Sequence, residues 1–94
     1  MFSSIWLRRV TKAGLPVPTI ALAGLLFSYA EPDGSDLRPG DSVLAADLDC
    51  SCRSIQRYRR PLVAGGWLEM RERPRSPGRF GGEGEPAVWQ LTLP

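Results

Sequence analysis

The sequence predicts a small α+β domain, a run of short helices followed by a two-stranded β-hairpin. Three observations predict it. Apolar residues recur at helical spacing through the first two thirds of the chain, the pair Gly65-Gly66 closes that pattern, and two short alternating segments follow. With 94 residues and 43% hydrophobic content, the chain has material for one modest core and little room for a substrate cleft.

Residues 1–14 read as an arm or short helix, because Ile5, Trp6 and Val10 fall at helical spacing before Gly14 and Pro16 end it. Residues 15–94 form the main domain. Its first helix opens at Pro18-Thr19, with Thr19 as a cap or Pro18 as the first helical residue, and runs to Tyr29 or Ala30. Ile20, Ala23, Phe27 and Ala30 make one stripe; Leu22, Leu25, Leu26 and Tyr29 widen it so far that the helix must be covered on more than one side. Either the N-terminal arm or another protein supplies the cover. Residues 31–40, "EPDGSDLRPG", are rich in turn formers and acids and read as an ordered surface loop with a tight turn at Asp33-Gly34. The ligand spacing of a calcium loop is absent.

Asp41 or Ser42 then caps a helix containing Val43, Leu44, Ala45, Ala46 and Leu48. After the turn "DCS", Ser51 caps another, in which Ile55, Tyr58 and Leu62 share a buried face while Arg53, Gln56, Arg57 and Arg60 fall outside it. Gly65-Gly66 terminates this helix. Residues 67–71 alternate as a strand with Leu68 and Met70 on one face, and residues 87–93 alternate with Val88, Gln90 and Thr92 opposite Trp89, Leu91 and Leu93. Trp67 and Trp89 read as core or strand-pairing residues.

The net charge of +2 conceals a change of sign along the chain. Residues 31–49 carry six acids and one arginine, whereas residues 53–79 carry eight arginines against Glu69 and Glu72. Cys50 and Cys52 are one residue apart, unsuited to an easy disulfide and too few for structural zinc, with no histidine to complete such a site. No metal or other cofactor is expected, and the thiols suit a reducing, cytoplasmic setting. Arg8 and Arg9 ahead of the apolar run 15–30, which closes on Ser28-Tyr29-Ala30, have the look of an export signal. Pro16 and Pro18 interrupt that run, it is too short to span a bilayer, and the domain needs it as a core helix, so no membrane association is expected. Without histidine there is no imidazole base for a serine or cysteine nucleophile, and the acids gather in a loop, so the chain is not expected to be an enzyme. The glycines of "GRFGGEGEP" lack the lysine and the helix of a phosphate loop, and no small-molecule ligand is evident.

Two short helices joined by a tight turn, the second basic on its outer face, make a helix-turn-helix; strand, basic glycine-rich loop and strand directly after it make a wing. The segments "SYAEPDGSDLRPG", "LAADLDCSCRSIQRYRRPLVAGGWLEM" and "PAVWQLTLP", in that order and spacing, resemble the winged helix-turn-helix proteins of actinobacteria and their phages, plasmids and integrated elements. The resemblance covers residues 18–94. It implies a three-helix core plus a two-stranded β-wing, here with an extra N-terminal helix or arm, and a sequence-specific double-stranded DNA-binding protein. Relatives act in transcription regulation, excision, replication or partition. Three departures stand out: Asp49 where glycine is common in the turn, Arg59 at a commonly apolar position, and Pro61 inside the second helix.

The resemblance implies that Ser51 starts the reading helix and that Arg53, Ser54, Gln56 and Arg57 enter the major groove, with Arg60 beside them. Arg71, Arg73, Arg75 and Arg79 of the wing are expected on phosphate or minor groove, and Phe80 is a packing anchor or a contact. If about six arginines meet phosphates, the log-log salt slope is near −5. A proline at position 61 either breaks the helix into a reading piece and a short restart or is simply tolerated in its last turn. One such module offers a small interface, so a homodimer or larger assembly on repeated half-sites is expected, with Phe2, Trp6, Leu22 and Leu26 as its contact surface and the nucleoid as its place. The rival reading is a winged-helix assembly module that binds a larger protein through the apolar first helix.

Overall fold

The computed structural model describes residues 2–73 and 86–94. It is a small α+β domain with four helices, α1 (Phe2–Thr11), α2 (Val17–Tyr29), α3 (Asp41–Asp47) and α4 (Cys52–Ala64), followed by an antiparallel pair, β1 (Leu68–Glu72) and β2 (Val88–Leu91). Among the described residues no helix is long and apolar enough to cross a membrane.

Helix α1 belongs to the same core as everything after it. Trp6 and Val10, four residues apart, are fully buried, and the Trp6 Nε1–H donates to the Trp67 carbonyl at 2.9 Å. The helix thus seals one side of α2 and ties itself to the entry of β1. Helix α2 buries Thr19, Leu22, Ala23 and Leu26, a stripe one residue out of phase with the expected Ile20–Ala23–Phe27–Ala30 set. The expected cap at Thr19 is also corrected. Pro16 is the N-cap residue, Val17 and Pro18 open the helix, and Thr19 lies inside it, donating from Oγ1 to the Tyr58 carbonyl of α4 at 2.8 Å. That bond satisfies a hydroxyl left only 1% exposed.

Burial also overturns the expected partner surface. Trp6 and Leu22 are completely buried and Leu26 nearly so, while Phe2 is half-buried against the same cluster. These side chains serve the chain's own core. The cover that the greasy helix required comes from α1 on one side and α4 on the other.

The segment between α2 and α3 is more than a surface loop. Leu37 is fully buried and forms an antiparallel bridge with Trp89, the two backbones exchanging bonds of 3.1 and 2.8 Å, so β2 is flanked by β1 on one side and by this bridge on the other. Upstream, the Asp33 carboxylate accepts from the Ser35 amide and hydroxyl, which hold its pKa below the usual carboxylate range. Gly34 has φ +83°, its carbonyl accepts from the Leu91 amide, and an added Cβ would lie 2.5 Å from Phe2 Cε1.

In the hairpin Leu68 faces Leu91, Glu69 faces Gln90 and Met70 faces Trp89; an irregularity then sets Glu72 opposite Val88. The simple alternation expected for these strands fails at that irregularity. Met70 is 43% exposed instead of sharing the core with Leu68, and Val88 and Trp89 are both buried.

Trp6 should report the tie between α1 and β1. Trp6→Phe keeps most of the ring volume and removes one of the two donors to the Trp67 carbonyl, which retains the Thr92 amide at 2.9 Å, so urea denaturation should show a loss of about 1 kcal/mol. Trp6→Ala should lose about 3–5 kcal/mol.

Candidate nucleic-acid interface

Helices α3 and α4 are joined by a turn built from a recurring helix ending. At the end of α3 the Cys50 amide reaches back to the Ala45 carbonyl and the Asp49 amide to Ala46, at 2.9 and 3.3 Å. At the end of α4 the Trp67 amide bonds to Leu62 and the Gly66 amide to Val63, at 2.8 and 3.2 Å. Both are the paired bonds of a Schellman motif, which demands a left-handed residue one place beyond the cap. Gly66 takes that place with φ +81° and Asp49 with φ +53°, so the aspartate in the turn takes the left-handed conformation that glycine commonly supplies there.

Ser51 is the N-cap of α4. Its Oγ accepts from the Ser54 amide at 3.1 Å and lies 3.0 Å from the Ser54 hydroxyl. The two serines therefore hold the helix end together. On the α3 side the expected cap at Asp41 or Ser42 is corrected: Gly40 is the N-cap, it makes no side-chain capping bond, and Asp41 is the first helical residue. Its carboxylate still lies where a helix N-terminus favours negative charge.

One face of α4 is fixed inward by Ile55 and Leu62, both fully buried. Arg53, Arg57 and Arg60 follow at i, i+4 and i+7 on the opposite face, and all three are exposed. Among the described residues no acid stands within ion-pair distance of any of them. Pro61 does not interrupt this face. The helix runs as one element from Cys52 to Ala64, and the Pro61 carbonyl accepts from the Gly65 amide at 3.0 Å, so the reading in two pieces is replaced by a proline accommodated in the last turn.

Gln56 and Arg59 lie on the flank between the two faces, and both engage Asp41 of α3. Gln56 Nε2 donates to Oδ2 at 3.3 Å, and the Arg59 guanidinium is ion-paired with Oδ1. Arg59 also sits over the Trp89 ring, 4.9 Å from its centroid, with its side chain 12% exposed and its buried Nε without a hydrogen-bond partner among the described residues. The sequence marked Arg59 as a departure but gave no sign of Asp41 and Trp89 as its partners. Tyr58, at the preceding position, is half-buried against the core.

Of the arginines expected on a wing, Arg71 is exposed and donates to Glu69 at 3.2 Å, and Arg73 is exposed beyond the end of β1. Arg75, Arg79 and Phe80 lie outside the described residues. Among the described residues no group of three His, Cys, Asp or Glu side chains is placed to hold a metal. Cys50 is half-buried and Cys52 exposed, both as free thiols. No family model matches the chain, and neither a curated protein nor a solved structure matches it.

On the far side of α3, the Tyr29 hydroxyl donates to Asp47 Oδ2. That hydrogen bond, with burial and the negative charge of Asp47 adding to it, raises the phenol pKa above its ordinary 10.0. Its contribution to folding is present below pH 10 and disappears as pH rises through the elevated folded value. In a Tyr58→Phe background, ultraviolet titration should show the Tyr29 phenolate forming above pH 10, and Asp47→Asn should bring it back down. Asp49→Gly should relieve the left-handed turn and raise thermal stability by about 1 kcal/mol.

Proposed function

We propose that this chain is a winged helix-turn-helix protein that binds double-stranded DNA in a sequence-specific way, with α4 in the major groove. The observation that carries the reading is the stripe of Arg53, Arg57 and Arg60 on the face opposite Ile55 and Leu62, exposed and without acidic partners among the described residues. A stripe of like charges on a folded helix attracts a polyanion, and arginine's planar fork suits both phosphates and guanine edges.

The order of elements supports it. A helix, a bridge residue, two helices around a tight turn and a hairpin follow one another, with Arg71 and Arg73 leading into the wing. In this reading Ser51 and Ser54 secure the end of α4, Arg57 and Arg53 read or clamp the DNA, and Gln56 reads beside them. The sequence resemblance adds a biological setting: a regulator, or an excision, replication or partition factor, of a mobile element in an actinobacterium, at work on the nucleoid. The rival assembly-module reading loses its support because Trp6, Leu22 and Leu26 are buried within the domain.

Selection of bound fragments from random double-stranded DNA tests the reading. Wild-type protein should enrich a motif, and the spacing of its half-sites should report how many copies bind. With Arg53 and Arg57 both changed to Ala the motif should vanish, and the log-log salt slope of residual binding should become shallower by about 2. Wild type and variant alike at background in low salt would overturn it.

A further inference from the structure

We propose that Asp41 is a positioning residue that makes Gln56 a reader of adenine, an inference that rests on the DNA-reading function given above. A side-chain amide normally has two faces that it can exchange by rotation, one accepting and one donating. A carboxylate paired with a guanidinium only accepts. Gln56 can therefore meet Asp41 Oδ2, 3.3 Å away, through Nε2 alone, because the opposite orientation would set oxygen against oxygen. The carboxylate itself is held from behind. Its other oxygen is ion-paired with Arg59, and Arg59 is pinned over the Trp89 ring.

Once one N–H is given to Asp41, Gln56 retains its carbonyl oxygen and a second N–H, an acceptor and a donor side by side. In the major groove, adenine presents the matching pair, an N6 amine that donates and an N7 that accepts. Guanine presents two acceptors, and neither cytosine nor thymine offers the pair. Gln56 has room for such a partner. It is exposed, lies on the same side of α4 as Arg60 one turn on, and borders an open hollow of about 460 Å³ with Arg60, Val63 and Ala64. Asp41 itself makes no contact with DNA here. It acts by fixing which groups Gln56 has left to offer.

Fragment selection with wild type, Asp41→Asn and Gln56→Ala tests this. The asparagine keeps an acceptor for Arg59 but faces Gln56 with an amide that can either donate or accept, so the orientation of Gln56 is released. Wild type should require adenine at one position per half-site by about tenfold or more. Asp41→Asn and Gln56→Ala should both become indifferent at that position, and Gln56→Ala, which leaves the Asp41–Arg59 pair in place, should keep the other positions and the salt slope as in wild type. A merely structural role for Asp41 would weaken all positions together. If circular dichroism shows Asp41→Asn unfolded, Gln56→Glu takes its place: it leaves the Asp41–Arg59 pair intact, opposes carboxylate to carboxylate, and should also lose adenine. A position unaffected by these variants, or one specifying another base, would overturn the inference while leaving DNA reading in place. A wild-type protein that enriches no motif would overturn both.

Discussion

Arg59 carries its charge into the junction of three elements, between the Asp41 carboxylate of α3 and the Trp89 indole of β2, and the placing of α4 against the hairpin depends on that junction. A guanidinium this enclosed must be paired, since an uncompensated charge in low dielectric is strongly unfavourable. Asp41 provides the pair, and through it the first turn of α3 is drawn against the middle of α4. Trp89 offers its ring face to the cation, exchanges both backbone bonds with Leu37 and lies opposite Met70 in the hairpin.

What could be read from the sequence was whatever depends on near neighbours. The Ser51 cap, the inward set Ile55–Tyr58–Leu62, the outward Arg53–Arg57–Arg60 and the glycine ending at Gly65-Gly66 all follow from spacing within one helix. What could not be read depends on partners far along the chain. Leu37 looks like one apolar residue in an acidic loop until Trp89, more than fifty residues later, makes it a bridge. Arg59 looks misplaced until Asp41 and Trp89 surround it. Helix α2 was ambiguous for another reason: it has apolar residues on every side, so periodicity offers no contrast by which to choose the buried face. The choice of Thr19, Leu22, Ala23 and Leu26 is made by α1 and α4, and Trp6, expected on a partner surface as part of the N-terminal arm, is fully buried in that core.

The two helix endings around α4 show one backbone device supplied by different residues. Gly66 takes the left-handed position with no steric penalty, whereas Asp49 takes it with a side chain. The pairs of bonds they make are the same, and so the turn between α3 and α4 keeps its shape despite the residue that fills it. Aspartate is among the few residues that visit this conformation, and at this site it also adds negative charge close to the start of α4.

The bond from Trp6 to the Trp67 carbonyl, the Leu37–Trp89 bridge and the Leu91 amide on Gly34 each join residues more than fifty positions apart. Closing such contacts requires the intervening chain to be ordered first or together with them, which slows folding relative to a simple helical bundle. During synthesis, moreover, helices α1 to α4 leave the ribosome before the strand that completes their core. A nascent chain lacking β2 leaves Leu37 and Leu68 without their strand partners, and it must remain soluble until Leu91 has been added.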